Sequence, residues 1–125
     1  MAKAVIATDK IAAPVGPFSP AVVSDGSLYL SGQVAQDPVS GKLIGGDTAQ
    51  QTDQILRNAG VLLHAAGKDF ADVVKVGVFL THMDDFQAMN AVYGRYFESP
   101  YPARTTVGVV ALPLGARVEM DFVAR

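Results

Sequence analysis

The 125-residue sequence contains no cysteine, and it has no long apolar run. The lack of cysteine excludes disulfide frameworks, thiolate catalysis and cysteine-ligated zinc or iron–sulfur sites. No apolar segment approaches the roughly 20 residues of a membrane helix, and the first residues lack the apolar stretch of a signal peptide. We therefore expect a soluble, cytoplasmic protein.

Positive charge is also scarce. Ten Lys and Arg residues against twelve Asp and Glu residues give a formal net charge of −2, and no run of basic residues occurs. Nucleic-acid-binding proteins usually carry a basic stripe that neutralises phosphates. Nucleic acid is therefore not expected as the main partner.

Half of the residues are hydrophobic, so a chain of this length can bury a core of its own. No linker, repeat or low-complexity stretch divides the sequence. One domain over residues 1–125 is expected.

Turn and periodicity signals predict the first elements. Asp25-Gly26 marks a tight turn between two strands. Asp47 begins a helix with Gln50 in capping-box position, and Gly67 supplies its stop. An alternating strand over residues 72–81 follows, with apolar positions at Val74, Val76, Val78 and Leu80.

A second helix is predicted to begin near Asp84 and to end before Pro100. Its buried stripe is formed by Phe86, Met89, Tyr93, Tyr96 and Phe97. Two strands complete the chain, and residues 113–116 are predicted to join them as a hairpin. The order β-β-α-β-α-β-β predicts an α+β fold, with a mixed sheet and two helices on one face.

The sheet face without helices combines small, apolar and charged residues. Its predicted members are Lys75, Gly77, Phe79, Arg104, Thr106, Gly108, Val110, Arg117, Glu119, Asp121 and Val123. A solvent-facing sheet is normally more uniformly polar. The mixture indicates burial against other subunits.

Two charged residues on this predicted face are candidates for chemistry. Arg104 offers a planar fork of donors that can bind a carboxylate, and Glu119 could orient a water or transfer a proton. Spacing alone favours the simpler interpretation, in which both are ordinary cross-strand ion-pair partners, for example Glu119 with Arg117. The two histidines, His64 and His82, belong to no cluster with metal-ligand spacing, so no metal is expected.

Several segments together resemble the Rid/YjgF family, in its order and at its usual spacing over nearly the whole chain. They are residues 16–22 (GPFSPAV), 28–38 (LYLSGQVAQDP), 47–56 (DTAQQTDQIL), 73–97 (VVKVGVFLTHMDDFQAMNAVYGRYF) and 102–120 (PARTTVGVVALPLGARVEM). The presence of Arg104 indicates the reactive-intermediate deaminase (RidA) subgroup.

The resemblance implies a chorismate-mutase-like fold that assembles as a homotrimer with three clefts between subunits. It assigns Arg104 to the substrate carboxylate and Glu119 to the attacking water. Thr106 stands where many members have cysteine, and its main chain would line the cleft. The further cleft-lining positions are Ser31, Gly32, Asn90 and Phe18, and Phe18 occupies a position that is often tyrosine.

The implied reaction is the hydrolytic deamination of 2-imino and 2-enamino acids, such as 2-iminopropanoate and 2-iminobutanoate, to 2-oxo acids and ammonia. Such imines arise when pyridoxal-phosphate-dependent dehydratases act on serine or threonine. Their carbon is already electrophilic, so no cofactor is expected. Two alternatives stay open: an endoribonuclease or translation inhibitor, and a non-catalytic trimer that binds 2-oxo acids or acts as a chaperone.

Overall fold

The computed structural model describes residues 2–125 and contains one six-stranded sheet with two α-helices. The strands are β1 (Ala4–Val5), β2 (Ala21–Ser24), β3 (Ser27–Gln33), β4 (Val73–Leu80), β5 (Ala103–Gly108) and β6 (Val118–Ala124). The helices are α1 (Thr48–Ala65) and α2 (Phe86–Tyr93). The predicted order is confirmed, with the two-residue β1 added before it.

The order of the strands across the sheet is β1-β2-β3-β6-β4-β5. Only β4 and β5 are parallel, because α2 connects them as a crossover, and every other neighbouring pair is antiparallel. The predicted hairpin between β5 and β6 is therefore wrong. The turn at Pro113–Gly115, in which Leu114 has φ 60°, carries the chain past β4 to its other side.

Local signals explain the ends of α1. Asp47 accepts a hydrogen bond from the Gln50 amide at 2.9 Å, and the Gln50 side chain accepts one from the Asp47 amide at 2.9 Å. Gly67, just after the helix, has φ +73°, which favours glycine. Both predicted signals are confirmed.

The start of α2 differs from the prediction. A short 3₁₀ turn over Met83–Asp85 leads into the helix, and Asp85 makes no capping hydrogen bond. Its carboxylate instead accepts a hydrogen bond from the Thr48 hydroxyl at 2.7 Å and lies 3.4 Å from Arg117 Nη2. Asp85 therefore ties the beginning of α1 to the segment before β6.

The core lies between the helices and one face of the sheet. Fully buried sheet residues meet fully buried residues of α1: Val76, Val78, Leu80, Val118, Met120, Phe122, Ile55, Leu56, Leu62 and Leu63. Each such side chain contributes about 1.5–3 kcal/mol. Val74 does not belong to this set, because a register shift between Val73 and Lys75 buries Val73 and leaves Val74 45% exposed.

The opposite face of the sheet carries no helix and is called the open face here. Its members are Lys75, Gly77, Phe79, Thr105, Val107, Glu119, Asp121 and Val123. The prediction was right for β4 and most of β6 but wrong for β5. Arg104 and Thr106 pair with the core residues Val76 and Val78, and therefore lie on the helix-covered side. No helix within residues 2–125 is long and apolar enough to span a membrane.

Candidate functional site

Arg104 projects from the edge strand β5 towards α2. Its Nη1 donates a hydrogen bond to Asn90 Oδ1 at 2.7 Å. Its guanidinium carbon lies 4.7 Å from the centre of the Tyr93 ring and 5.6 Å from that of Phe86. Within residues 2–125 no acidic side chain pairs with Arg104. Four of its five N–H groups therefore stay available to an anionic ligand.

A cavity of about 460 Å³ opens beside this guanidinium. It is lined by Asn90, Tyr93, Gly94, Tyr101, Pro102 and Arg104. A larger cavity of about 1290 Å³ lies between the N-terminal segment and residues 36–41, but Asp9 is its single charged lining residue. Without a cation it cannot clamp a carboxylate, so the smaller cavity is the better candidate.

Thr106 lies two residues beyond Arg104 on the same side of β5. Its hydroxyl is buried and has no hydrogen-bond partner among residues 2–125. Buried hydroxyl groups are normally hydrogen-bonded. The structure thus brings Thr106, Arg104 and Asn90 into one region, called the arginine half-site here.

Glu119 lies on the open face and packs over Gly32. A Cβ atom added to Gly32 would meet the Glu119 carboxylate, so only glycine leaves room for it here. Burial, followed by repulsion from Asp121, raises the pKa of the Glu119 carboxyl above its ordinary value. No basic side chain within residues 2–125 forms a salt bridge with it, and Arg117 pairs with Asp85 instead. The cross-strand ion pair considered from the sequence is therefore not formed.

Ser31 precedes Gly32 where the register of β3 and β6 shifts. Its hydroxyl donates a hydrogen bond to the Ser19 carbonyl at 2.6 Å, and its amide donates one to the Pro20 carbonyl at 2.9 Å. These bonds hold the proline-rich segment against β3. Phe18 lies in that segment and is 52% exposed. Glu119, Gly32, Ser31 and the neighbouring Phe18 form what is called the glutamate half-site here.

The two half-sites do not meet within one chain. Arg104 pairs with Val76 and Glu119 with Phe79, and successive residues of β4 point to opposite faces. Arg104 is therefore on the helix-covered side and Glu119 on the open face. One copy of the chain therefore cannot direct the Arg104 and Glu119 side chains at one small molecule.

Two residues that touch these half-sites had no predicted role in them. Tyr93 is predicted only as part of the buried stripe, yet its ring lies against the Arg104 guanidinium. Asp121 accepts a hydrogen bond from the Gly77 amide at 3.0 Å and contributes to the raised pKa of Glu119. Tyr93 could have been identified from its spacing, because it lies three residues after Asn90 on one helix face.

Comparison with known proteins places the chain among close relatives. The family model described as Endoribonuclease L-PSP matches residues 8–125. The 2-iminobutanoate/2-iminopropanoate deaminase of Homo sapiens is 46% identical over 120 residues, which is 96% of this chain and 88% of the human protein. That of Mus musculus is 47% identical, over 96% of this chain and 89% of the mouse protein.

Solved structures agree with these matches. RidA from the Antarctic bacterium Psychrobacter superposes with a TM-score of 0.92 at 40% identity, covering 97% of this chain and 98% of that protein. The YjgF gene product of Escherichia coli superposes with a TM-score of 0.91 at 33% identity, covering 97% of each chain. Fold and sequence therefore lead to the same group of proteins.

Proposed function

The chain belongs to the Rid/YjgF family, and from that premise we propose that it is a 2-iminobutanoate/2-iminopropanoate deaminase. It hydrolyses reactive 2-imino acids, and the enamines in equilibrium with them, to 2-oxo acids and ammonia. The observation in the molecule that carries this function is Arg104, whose guanidinium faces a cavity with only Asn90 as a hydrogen-bond partner.

The first step is binding of the substrate carboxylate. Two parallel N–H groups of Arg104 hold both carboxylate oxygens and so fix the direction of the imine carbon. Asn90, on α2, accepts one hydrogen bond from Nη1, which leaves the remaining N–H groups of the guanidinium for the substrate. The buried Thr106 hydroxyl, which lacks a partner in the described chain, lies next along the same side of β5.

The second step is addition of water. Glu119 accepts a proton from the water as its oxygen bonds to the imine carbon, and the C=N π electrons move to nitrogen. The proton held by Glu119 passes to the nitrogen, which gives a carbinolamine. Glu119 then accepts the proton of the carbinolamine hydroxyl group and delivers it to the nitrogen; the C=O double bond forms as the C–N bond breaks, and ammonia leaves the 2-oxo acid. The raised pKa of Glu119 suits both directions of this transfer. The imine carbon is electrophilic without further activation, so the scheme needs no cofactor.

The catalytic unit is a homotrimer in this proposal. Arg104 of one subunit and Glu119 of its neighbour face the same cleft, because the two half-sites lie on opposite sides of the sheet. The apolar and charged residues of the open face support the same assembly, since Phe79, Val107 and Val123 would be buried between subunits.

The substrates must come from eliminations that convert hydroxy amino acids into enamines. Pyridoxal-phosphate-dependent dehydratases acting on serine or threonine carry out this class of reaction, and we propose them as the upstream partners, linked through their products. The cytoplasmic location expected from the sequence stays a prediction.

A coupled assay tests the function. A threonine dehydratase generates the imine, and release of the 2-oxo acid is timed with this protein, without it, and with Arg104→Ala. Acceleration by the wild type alone supports the deaminase. Equal rates with all three, together with measurable binding of 2-oxobutanoate, would identify an inert binding protein. Salt-dependent retention of RNA without acceleration would instead favour the endoribonuclease that the family description names.

A further inference from the structure

The ring of Tyr93 contacts both the guanidinium of Arg104 and the aromatic core. Its centre lies 4.7 Å from the Arg104 guanidinium carbon. It also lies 4.5 Å from the centre of the Phe97 ring, with 31° between the ring planes. Tyr93 itself is only 6% exposed, so packing holds the ring in place.

One face of α2 supplies the side-chain hydrogen bond and both aromatic contacts of this guanidinium. Phe86, Asn90 and Tyr93 are spaced by four and three residues, so they lie on one stripe of the helix. Asn90 fixes the guanidinium within its own plane through the bond to Nη1. The ring of Tyr93, with Phe86 at 5.6 Å, provides the surface against which that plane rests.

The hydroxyl of Tyr93 is not what holds the ring. It is buried and has no hydrogen-bond partner within residues 2–125. Burial raises its pKa, an effect that the charge of Arg104 and the approach of its N–H groups to the phenol oxygen partly oppose, so the phenol stays neutral at physiological pH. A phenylalanine would provide the same surface without burying an unpaired polar group.

We propose that Tyr93 is a positioning residue for Arg104, in which the aromatic ring and not the hydroxyl orients the guanidinium for carboxylate binding. This inference rests on the proposed function for the identity of the ligand. Bidentate binding needs two N–H groups aligned with both carboxylate oxygens, and a flexible arginine loses entropy when it adopts that geometry. A platform that holds the fork in advance removes part of that loss.

Three variants separate the ring from the hydroxyl and from general packing. Tyr93→Leu removes the platform, and Tyr93→Phe keeps it. Tyr96→Leu is the matched control, because Tyr96 also packs on an aromatic ring, that of Phe70 at 5.4 Å, while its hydroxyl bonds to Asp53, away from Arg104. KM and kcat for the imine, the Kd of 2-oxobutanoate and the unfolding temperature are measured for each.

Tyr93→Leu is expected to raise KM and the Kd of 2-oxobutanoate by roughly tenfold, which lies between the sizes of an exposed and a fully desolvated cation–π contact, while kcat changes much less. Tyr93→Phe should keep wild-type KM and unfold at an equal or higher temperature. Tyr96→Leu should lose thermal stability with no change in KM. If Tyr93→Leu does not stay folded, Tyr93→Met replaces it, with the same expected result.

An unchanged Kd in folded Tyr93→Leu or Tyr93→Met would overturn the inference. A Tyr93→Phe protein as weak as Tyr93→Leu would do the same, because the hydroxyl would then carry the effect. A wild-type protein that hydrolyses no imine, yet binds 2-oxobutanoate with the expected pattern across the variants, would refute the proposed function and leave the role of Tyr93 standing.

Discussion

A guanidinium and an ammonium carry the same charge but differ in shape, and the carboxylate binding proposed for Arg104 depends on that shape. Its Nη1 is held by Asn90 while the rest of the fork faces the cavity. An ammonium is a point charge that cannot hold both oxygens of a carboxylate by two parallel bonds.

Arg104→Lys is therefore expected to fail nearly as badly as Arg104→Ala, with a loss of about 2–5 kcal/mol in transition-state stabilisation. The measurement is kcat/KM for imine hydrolysis in the coupled assay. Arg95→Lys, at an exposed position just after α2, is the matched control and should behave as the wild type. If Arg104→Lys retains most of the wild-type kcat/KM, Arg104 acts only as a structural cation.

Glu119→Gln should retain the fold and the affinity for 2-oxo acids but lose catalytic rate. The amide has nearly the same shape as the carboxylate, and it cannot accept a proton from water. The decisive comparison is kcat against the Kd of 2-oxobutanoate. If the two proteins turn over at equal rates, the attacking water needs no help from this residue.

The same substitution should have a pH-dependent effect on stability. Burial and the nearby Asp121 raise the pKa of Glu119, so the folded state binds this proton more tightly than the unfolded state does. The associated stability is present below the unfolded pKa of about 4.3 and is lost as pH rises through the folded pKa. Glu119→Gln should thus unfold at a higher temperature than the wild type at neutral pH, and the gap should shrink towards about pH 4. Calorimetric scans of both proteins between about pH 4 and pH 7 test this prediction. A difference in unfolding temperature that stays constant with pH would contradict the raised pKa of Glu119.

At the scale of elements, Gly32 leaves the space that the Glu119 carboxylate occupies, at the register shift between β3 and β6. Gly32 has an ordinary φ, so alanine is conformationally allowed, but its Cβ would displace the end of the flexible Glu119 side chain. Gly32→Ala is therefore expected to cost little stability and to reduce kcat nearly as much as Glu119→Gln. Gly45→Ala is the control, because a Cβ there meets no atom within 4 Å. Full activity of Gly32→Ala would show that the position of the carboxylate is not important.

Local elements could be predicted because their signals are local. The capping box of Asp47 and Gln50, the stop at Gly67 and the turn at Asp25-Gly26 each depend on a few adjacent residues. Strand pairing, in contrast, depends on segments that are far apart in the sequence. Residues 113–116 have the composition of a hairpin turn, but β6 gains more by entering the sheet between β3 and β4, where both of its edges are paired.

The face of β5 was misassigned for a related physical reason. Thr105 and Val107 look like core residues in an alternating strand, whereas Arg104 and Thr106 look solvent-facing. At this edge of the sheet the apolar side is the open face, and the polar side is turned towards α2 and its cavity. The site residues themselves came from the family resemblance. Position along a strand could not reveal that the two half-sites lie on opposite faces.

At the scale of the whole molecule, complementation tests whether a cleft is shared. Arg104→Ala and Glu119→Gln proteins are mixed in equal amounts, unfolded and refolded together. With random assembly, roughly a quarter of the clefts inherit an intact Arg104 from one parent and an intact Glu119 from the other. Activity should recover to about that fraction of the wild type, while each parent refolded alone stays inactive. No recovery in demonstrably mixed trimers would place the whole site in one chain.

Strand β5 also ends the sheet, and among residues 2–125 its outer backbone groups pair with no further strand. A six-residue edge with an apolar side, including Val107 at 40% exposure, is a template for uncontrolled strand addition. Natural sheets shorten or cover such edges, as the two-residue β1 does on the opposite side. If the proposed trimer covers this edge, chains that cannot assemble should therefore aggregate. A variant with a weakened interface is expected to disappear into the insoluble fraction during expression before any inactive monomer accumulates.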